Sequence, residues 1–246
     1  MVSFIAADRT YRTYTTYSLF AEDRPNFSAT MRTTFRDRTE AGKLLGERLL
    51  EYKVRADAIV LALPRGGVPV GFEIAVKLDL PLDVFVVRKL GVPGQRELAM
   101  GAIASGGVRV LNEDVLRAMP FAAATVADIT AQESREVERR ERDYRQNRPA
   151  PEISGQTVIL VDDGLATGAT MLAAIAGLRQ KEPAKIVVAV PVCPPETLEE
   201  IKRVADETVI LFAPDWFRGV GQFYEDFAQL SDEAVRLLLA QAAERK

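Results

Sequence analysis

The densest chemistry in the chain is a pair of adjacent acids followed by a loop of small and hydroxylated residues: Asp162, Asp163, Gly164, Leu165, Ala166, Thr167, Gly168, Ala169 and Thr170. Thr157, Val158, Ile159, Leu160 and Val161 run into the acids, and an apolar run closed by turn residues reads as a buried strand. Apolar residues resume at Met171 and read as a helix. Strand, small-residue loop and helix is an arrangement that binds phosphate, because backbone N–H groups converge there and the helix dipole favours an anion. The loop is not of the Walker type, since Ala169 follows Gly168 where that motif needs Lys. Two carboxylates beside a phosphate cradle repel the phosphate unless they engage something else, such as sugar hydroxyls or a hydrated cation. A plain turn with Asp163 as a helix N-cap accounts for one acid but not for two.

Two further clusters complement this one. Pro64-Arg65-Gly66-Gly67-Val68-Pro69 offers a guanidinium and two glycines past which an anion can approach backbone amides. Arg88-Lys89 adds two cations, or is an ordinary surface pair. Both follow strand-like runs, and in an open parallel sheet ligands bind outside the carboxyl ends of the strands. A compound with a phosphate at one end, a diol in the middle and a pyrophosphate at the other matches all three loops. The chain has no histidine. That removes Ser-His-Asp and Cys-His catalysis and His-bound zinc, and leaves carboxylates, Lys, Arg, Tyr, backbone amides or a hard cation.

The string Val158-Ile159-Leu160-Val161-Asp162-Asp163-Gly164-Leu165-Ala166-Thr167-Gly168-Ala169-Thr170 resembles the phosphoribosyl pyrophosphate (PRPP) signature of the type I phosphoribosyltransferases, over a stretch from about 35 to 236. The resemblance implies a phosphoribosyltransferase that moves the 5-phosphoribosyl group of PRPP to a nitrogenous acceptor and releases pyrophosphate. It implies that Asp162 and Asp163 meet the ribose hydroxyls and that Ala166, Thr167, Gly168, Ala169 and Thr170 cradle the 5-phosphate. Arg65, Gly66 and Gly67 then bind pyrophosphate, Arg88 and Lys89 contact the leaving group, and 91–107 forms a mobile lid. Mg²⁺ is the implied cofactor, held by Asp162 and Asp163 by way of water. Lys89, Asp162 and Asp163 are the implied catalytic residues. In the tail, Trp216 or Phe217 stacks on the acceptor in a small hood, or else forms a hydrophobic staple at the sheet edge. Tyr224 and Asp226 are further tail candidates. Ala166 stands where the 6-oxopurine enzymes carry an acid, which speaks against hypoxanthine and guanine. Two alternatives stay open: a regulator that binds PRPP or nucleotides without transfer, and a Mg²⁺-dependent nucleotide hydrolase.

The elements that position these residues follow from periodicity. A helix is expected within 35–52, with Thr39 able to cap it, then a strand over 58–63, a helix over 70–78 and a strand over 82–87 that ends in Arg88-Lys89. A hairpin over 98–111 turns at Ser105-Gly106-Gly107, and a highly charged helix spans 113–147. Its Glu136/Arg140, Glu138/Arg142 and Glu141/Arg145 pairs are spaced for ion pairing on a solvated face. After the signature come a helix over 171–180, strands over 185–192 and 207–212 with a helix over 196–205 between them, and a last helix from Asp232. Alternating strands and helices predict an α/β fold with a parallel sheet flanked by helices on both faces. The expected divisions are a loosely ordered extension over 1–34, or an early start codon before Met31, and a transferase domain over 35–246. That domain carries a hairpin-plus-helix insertion over 91–150 and a hood over 213–231.

Bulk properties bound the rest. The chain has 246 residues, a formal net charge of −3 and one cysteine, Cys193. The charge gives no electrostatic case for nucleic acid, no apolar run is long enough to cross a membrane, and a lone cysteine fits a reducing compartment. The expectation is a cytoplasmic protein whose partners are PRPP and a small acceptor, with a homodimer allowed for.

Overall fold

The computed structural model describes residues 34–92, 95–118 and 123–245. All of the expected N-terminal extension except Thr34 lies outside them. The fold is α/β, with a five-stranded parallel sheet in the order β2-β1-β6-β7-β8 and helices on both faces. The strands are β1 (Ala58–Ala62), β2 (Leu82–Val84), β6 (Thr157–Val161), β7 (Lys185–Val192) and β8 (Glu207–Phe212). Beside this sheet, β3 (Val87–Val92), β4 (Gln95–Ala104) and β5 (Val108–Leu111) make a three-stranded antiparallel sheet.

Every residue of β1 and β6 is buried, so these strands read as continuous apolar runs rather than alternating ones. Their two faces feed separate cores. Val60, Ile159, Val161, Val187 and Ala189 pack against α1 (Arg38–Arg48) and α2 (Gly67–Leu78) through Leu45, Leu49, Val70 and Ile74. Ile59, Leu61, Val158, Leu160 and Val188 pack against α5 (Ala169–Arg179) and α6 (Pro195–Lys202) through Met171, Ile175, Leu178 and Ile201.

Helix α1 is capped by Asp37 rather than Thr39: Asp37 Oδ1 accepts from the Glu40 N–H at 2.8 Å, and the Glu40 carboxylate accepts the Arg36 N–H at 2.6 Å. Helix α2 begins a turn earlier than expected, which puts Gly66-Gly67 at its N-terminus. The expected strand over 82–87 divides. Phe85 N–H still donates to Ala62 O in the parallel sheet, but Val86 exchanges bonds with Ser105 and the chain turns to pair with β4. Arg88 and Lys89 therefore lie within β3, not in a loop after a strand.

The expected hairpin over 98–111 is present as β4 and β5. Its Met100, Ile103 and Ala104 are core residues, so this part of the expected lid segment is anchored in the core. Within the expected long helix the described residues form α3 (Glu113–Ala118) and α4 (Ala123–Arg145); residues 119–122 lie outside them. Glu136–Arg140 and Glu141–Arg145 pair as the spacing asks, both at 2.7 Å. Arg145 is not on a solvated face. It is buried, bonds Asp83 at 2.9 Å and donates to Val84 O at 3.1 Å, which ties α4 to β2. Burial pushes the Asp83 carboxyl up against that ion pair.

The C-terminal segment folds back on the start of α1. Phe35 pairs with Tyr224 in a parallel bridge, and Phe35, Phe212, Phe217 and Phe223 gather around Val192 and Ala41. Helix α7 (Asp232–Ala243) then packs on α2 and α4. Among the described residues no helix is long and apolar enough to cross a membrane.

Candidate active site

Strands β1 and β6 are neighbours in register, Ala62 beside Val161, yet β1 leads to β2 on one side and β6 to β7 on the other. That divergence opens a crevice between the loops that leave their carboxyl ends. The β1 loop carries Pro64, Arg65, Gly66 and Gly67, with a cis peptide between Pro64 and Arg65. The β6 loop carries Asp162 to Gly168. The two loops touch. A Cβ on Gly66 would overlap the Asp163 carboxylate, with Oδ1 at 2.8 Å, and one on Gly67 would lie 2.6 Å from Val161 O and 2.9 Å from Asp162 Cα. Glycine at both positions is what lets the acid pair and the amide-rich turn share one wall.

The acids are held closely. Asp163 N–H donates to Asp162 Oδ1 at 2.9 Å, and Tyr224 donates its hydroxyl to Asp163 O at 2.6 Å. Arg38, from the first turn of α1, donates Nε–H to Asp163 Oδ2 at 2.8 Å. Burial, and then the Asp163 charge, push the Asp162 carboxyl well above the usual range. Burial also raises Asp163, opposed by the Arg38 guanidinium. The Tyr224 phenol is raised too, first by burial and then by Asp163.

The phosphate-loop candidates follow. Gly168 adopts φ 67°, a left-handed turn in which a Cβ would also meet Thr197 Cγ2 at 2.7 Å. Helix α5 starts at Ala169 with no side-chain cap, so the first-turn N–H groups of Ala169, Thr170 and Met171 have no acceptor within the helix. Ala166, Thr167 and Thr170 are exposed. Thr197, at the start of α6, donates its hydroxyl to Ala166 O at 2.7 Å and braces the loop from below.

Strand alternation separates the basic pair. Arg88 shares a face with buried Leu90 and Val92, and its Nε–H donates to Glu133 of α4 at 2.7 Å. Lys89 shares the opposite face with Val87, which packs against the core that α5 covers; Lys89 itself is exposed. Arg88 and Lys89 thus lie on opposite faces of β3, Arg88 toward α4. Arg65 lies 3.9 Å from Asp232 of α7 and stays partly exposed. Phe217 stacks on Phe223 with centroids 5.4 Å apart, as the staple reading has it, whereas Trp216 is 63% exposed with Arg218 over its ring at 4.7 Å.

Arg38 and Thr197 are not legible in the sequence. Each acts over a long sequence separation, and neither stands in a local pattern.

Among the described residues no group of three or more His, Cys, Asp or Glu could hold a metal ion. Two carboxylates with one guanidinium already on them fit a Mg²⁺ that keeps most of its waters and takes its other ligands from a bound substrate.

The sequence matches the family model of the phosphoribosyl transferase domain over residues 38–228. The chain belongs to the phosphoribosyl transferase domain family. It is 46% identical over 208 residues to the Mycobacterium tuberculosis protein named "Putative phosphoribosyl transferase Rv0571c", covering 85% of this chain and 47% of that one. The chain thus spans about half the length of the curated relatives it matches. The crystal structure of TT1426 from Thermus thermophilus superposes with a TM-score of 0.75 at 43% identity, covering 85% of this chain and 98% of that one. The family resemblance and the parallel-sheet fold expected from the signature both hold for this phosphoribosyl transferase domain.

Proposed function

We propose that this domain transfers the 5-phosphoribosyl group of PRPP to a nitrogenous acceptor, such as a nucleobase or a related compound, with release of pyrophosphate. The observation that carries the reading is the contact between Gly66-Gly67 and Asp162-Asp163 at the point where β1 and β6 diverge, next to the open N-terminus of α5. This contact supports a site in which one ligand meets a diol partner, a phosphate loop and a pyrophosphate loop together.

On this reading Asp162 and Asp163 accept hydrogen bonds from the ribose hydroxyls. The 5-phosphate sits against the N–H groups and hydroxyls of Thr167, Gly168, Ala169 and Thr170. The Gly66 N–H faces the pyrophosphate, while the Gly67 N–H is held by Leu63 O at 3.0 Å and serves the turn itself; Lys89 offsets charge as the pyrophosphate leaves. The bond broken joins the anomeric carbon to pyrophosphate, and the bond formed joins that carbon to the acceptor nitrogen. A Mg²⁺ ion, held through Asp162 and Asp163 by way of water, would neutralise charge on the pyrophosphate. Positioning and electrostatic stabilisation do the remaining work. Ala166 cannot take a proton from the acceptor, so hypoxanthine and guanine are expected to be poor substrates. Trp216, exposed on the hood, is the aromatic available to an acceptor. Pyrophosphate release from PRPP across a panel of bases tests the proposal: release that depends on one base supports transfer, and binding without release supports the regulator reading.

A further inference from the structure

We propose that Arg38 is a positioning residue of the ribose site, which holds Asp163 in place and couples the start of α1 and the hood to the acid pair. The proposal rests on the PRPP reading and deepens it.

Arg38 is pinned on three sides. Its Nε–H meets Asp163 Oδ2 at 2.8 Å, its Nη1 donates to Ala228 O at 3.0 Å, and its guanidinium lies 3.9 Å from the centre of the Phe227 ring. The ion pair is well shielded, with side-chain exposures of 11% and 13%. A guanidinium fixed by a carbonyl and an aromatic face is a rigid anchor, and a planar fork aims a carboxylate better than a lone ammonium does. The same segments hold the Asp163 backbone. Tyr224 bonds Asp163 O at 2.6 Å, and the Tyr224 strand is laced to the start of α1 by Phe35 N–H to Phe223 O, Glu225 N–H to Phe35 O and Asp226 N–H to Arg36 O, at 2.7, 2.8 and 2.8 Å. Side chain and main chain of one acid are thus gripped by the same two segments, far from it in sequence. Asp162 is held differently: its carboxylate accepts from the neighbouring Asp163 N–H, a bond within the loop itself. A salt bridge that served stability alone would need no ligand-facing carboxylate at its end.

Arg38 touches the ribose only through Asp163, which sets the test. Dissociation constants are measured by calorimetry for PRPP with Mg²⁺ and for inorganic phosphate, in wild type, Arg38→Met, Arg38→Lys, Asp163→Asn and the Arg38→Met/Asp163→Asn double variant. Inorganic phosphate reports on the phosphate-binding loops without engaging the ribose acids. The expected result is a weakening of PRPP binding in Arg38→Met by about 10-fold to 100-fold, the range of a lost charge-assisted hydrogen bond, with phosphate binding unchanged. Arg38→Lys recovers part of the loss, and Arg38→Met adds little once Asp163→Asn is present. PRPP affinity equal to wild type in Arg38→Met, equal losses for PRPP and phosphate, or full additivity in the double variant each overturn the proposal while the PRPP reading stands. Wild-type protein that binds phosphate but not PRPP overturns the PRPP reading, and this proposal with it.

Discussion

Gly66→Ala is the most informative single change, because space and not backbone conformation is what forbids it. Gly66 sits at φ −59° and ψ −37°, values any residue adopts, so alanine there should gain about 0.4–1 kcal/mol by restricting the unfolded chain. Against that, the new Cβ overlaps the Asp163 carboxylate. Moving the carboxylate aside strains its bond to Arg38, and a shielded charge-assisted hydrogen bond contributes about 1.5–3 kcal/mol. The difference is a net loss of about 1–2 kcal/mol, which for a chain of this size lowers Tm by about 2–8 °C. Thermal unfolding followed by circular dichroism measures it, and titration with PRPP measures the second effect, a loss of affinity of about 10-fold or more as the ribose acid is displaced. A Gly66→Ala protein that melts at or above the wild-type temperature and binds PRPP with unchanged affinity refutes the reasoning.

The remaining expectations concern the acids, the basic pair and the hairpin. Asp162 has a folded pKa raised above its ordinary 3.8, so the folded state keeps that proton to higher pH than the unfolded state does. Stability is then lost as pH rises from the ordinary value through the raised one, and Asp162→Asn should raise Tm at neutral pH, flatten its acid-range dependence and weaken PRPP binding; a lower Tm at neutral pH contradicts this. Lys89→Ala should lower turnover with Tm unchanged. Arg88→Ala should instead lose up to about 1 kcal/mol through its partly exposed ion pair with Glu133 and leave PRPP affinity alone. Hydrogen exchange should find 101–104 protected in the free protein, and fast exchange there would restore the lid expectation.

What is legible in the sequence is what is local. Asp162-Asp163 and the Gly168 turn are written in one short string, and the burial of Val158 to Val161 follows from their apolar run. The pairing partner of a strand is not local. Nothing in Arg88-Lys89 says that the chain bends at Phe85 to join β4, so pattern alone puts the pair in a loop and hides its two faces. The spacing of Arg145 to Glu141 suits an exposed helix and points it to solvent. Only the fold brings buried Asp83 to it, and a shielded acid needs a cation more than the helix surface does. Trp216 and Phe217 are equivalent as letters, and packing alone sends Phe217 onto Phe223 and leaves Trp216 in solvent. Arg38 carries no local signal at all.

On the proposed reading, the crevice between β1 and β6 binds PRPP and activates it for transfer. The direct measurement is pyrophosphate release from PRPP and Mg²⁺ with and without adenine, uracil, orotate, nicotinate, hypoxanthine and guanine, run beside the Asp162→Asn/Asp163→Asn double variant. Release is expected to depend on an acceptor lacking the 6-oxopurine pattern and to be lost in the double variant. No release with any acceptor, together with no binding of PRPP at millimolar concentration, would contradict it.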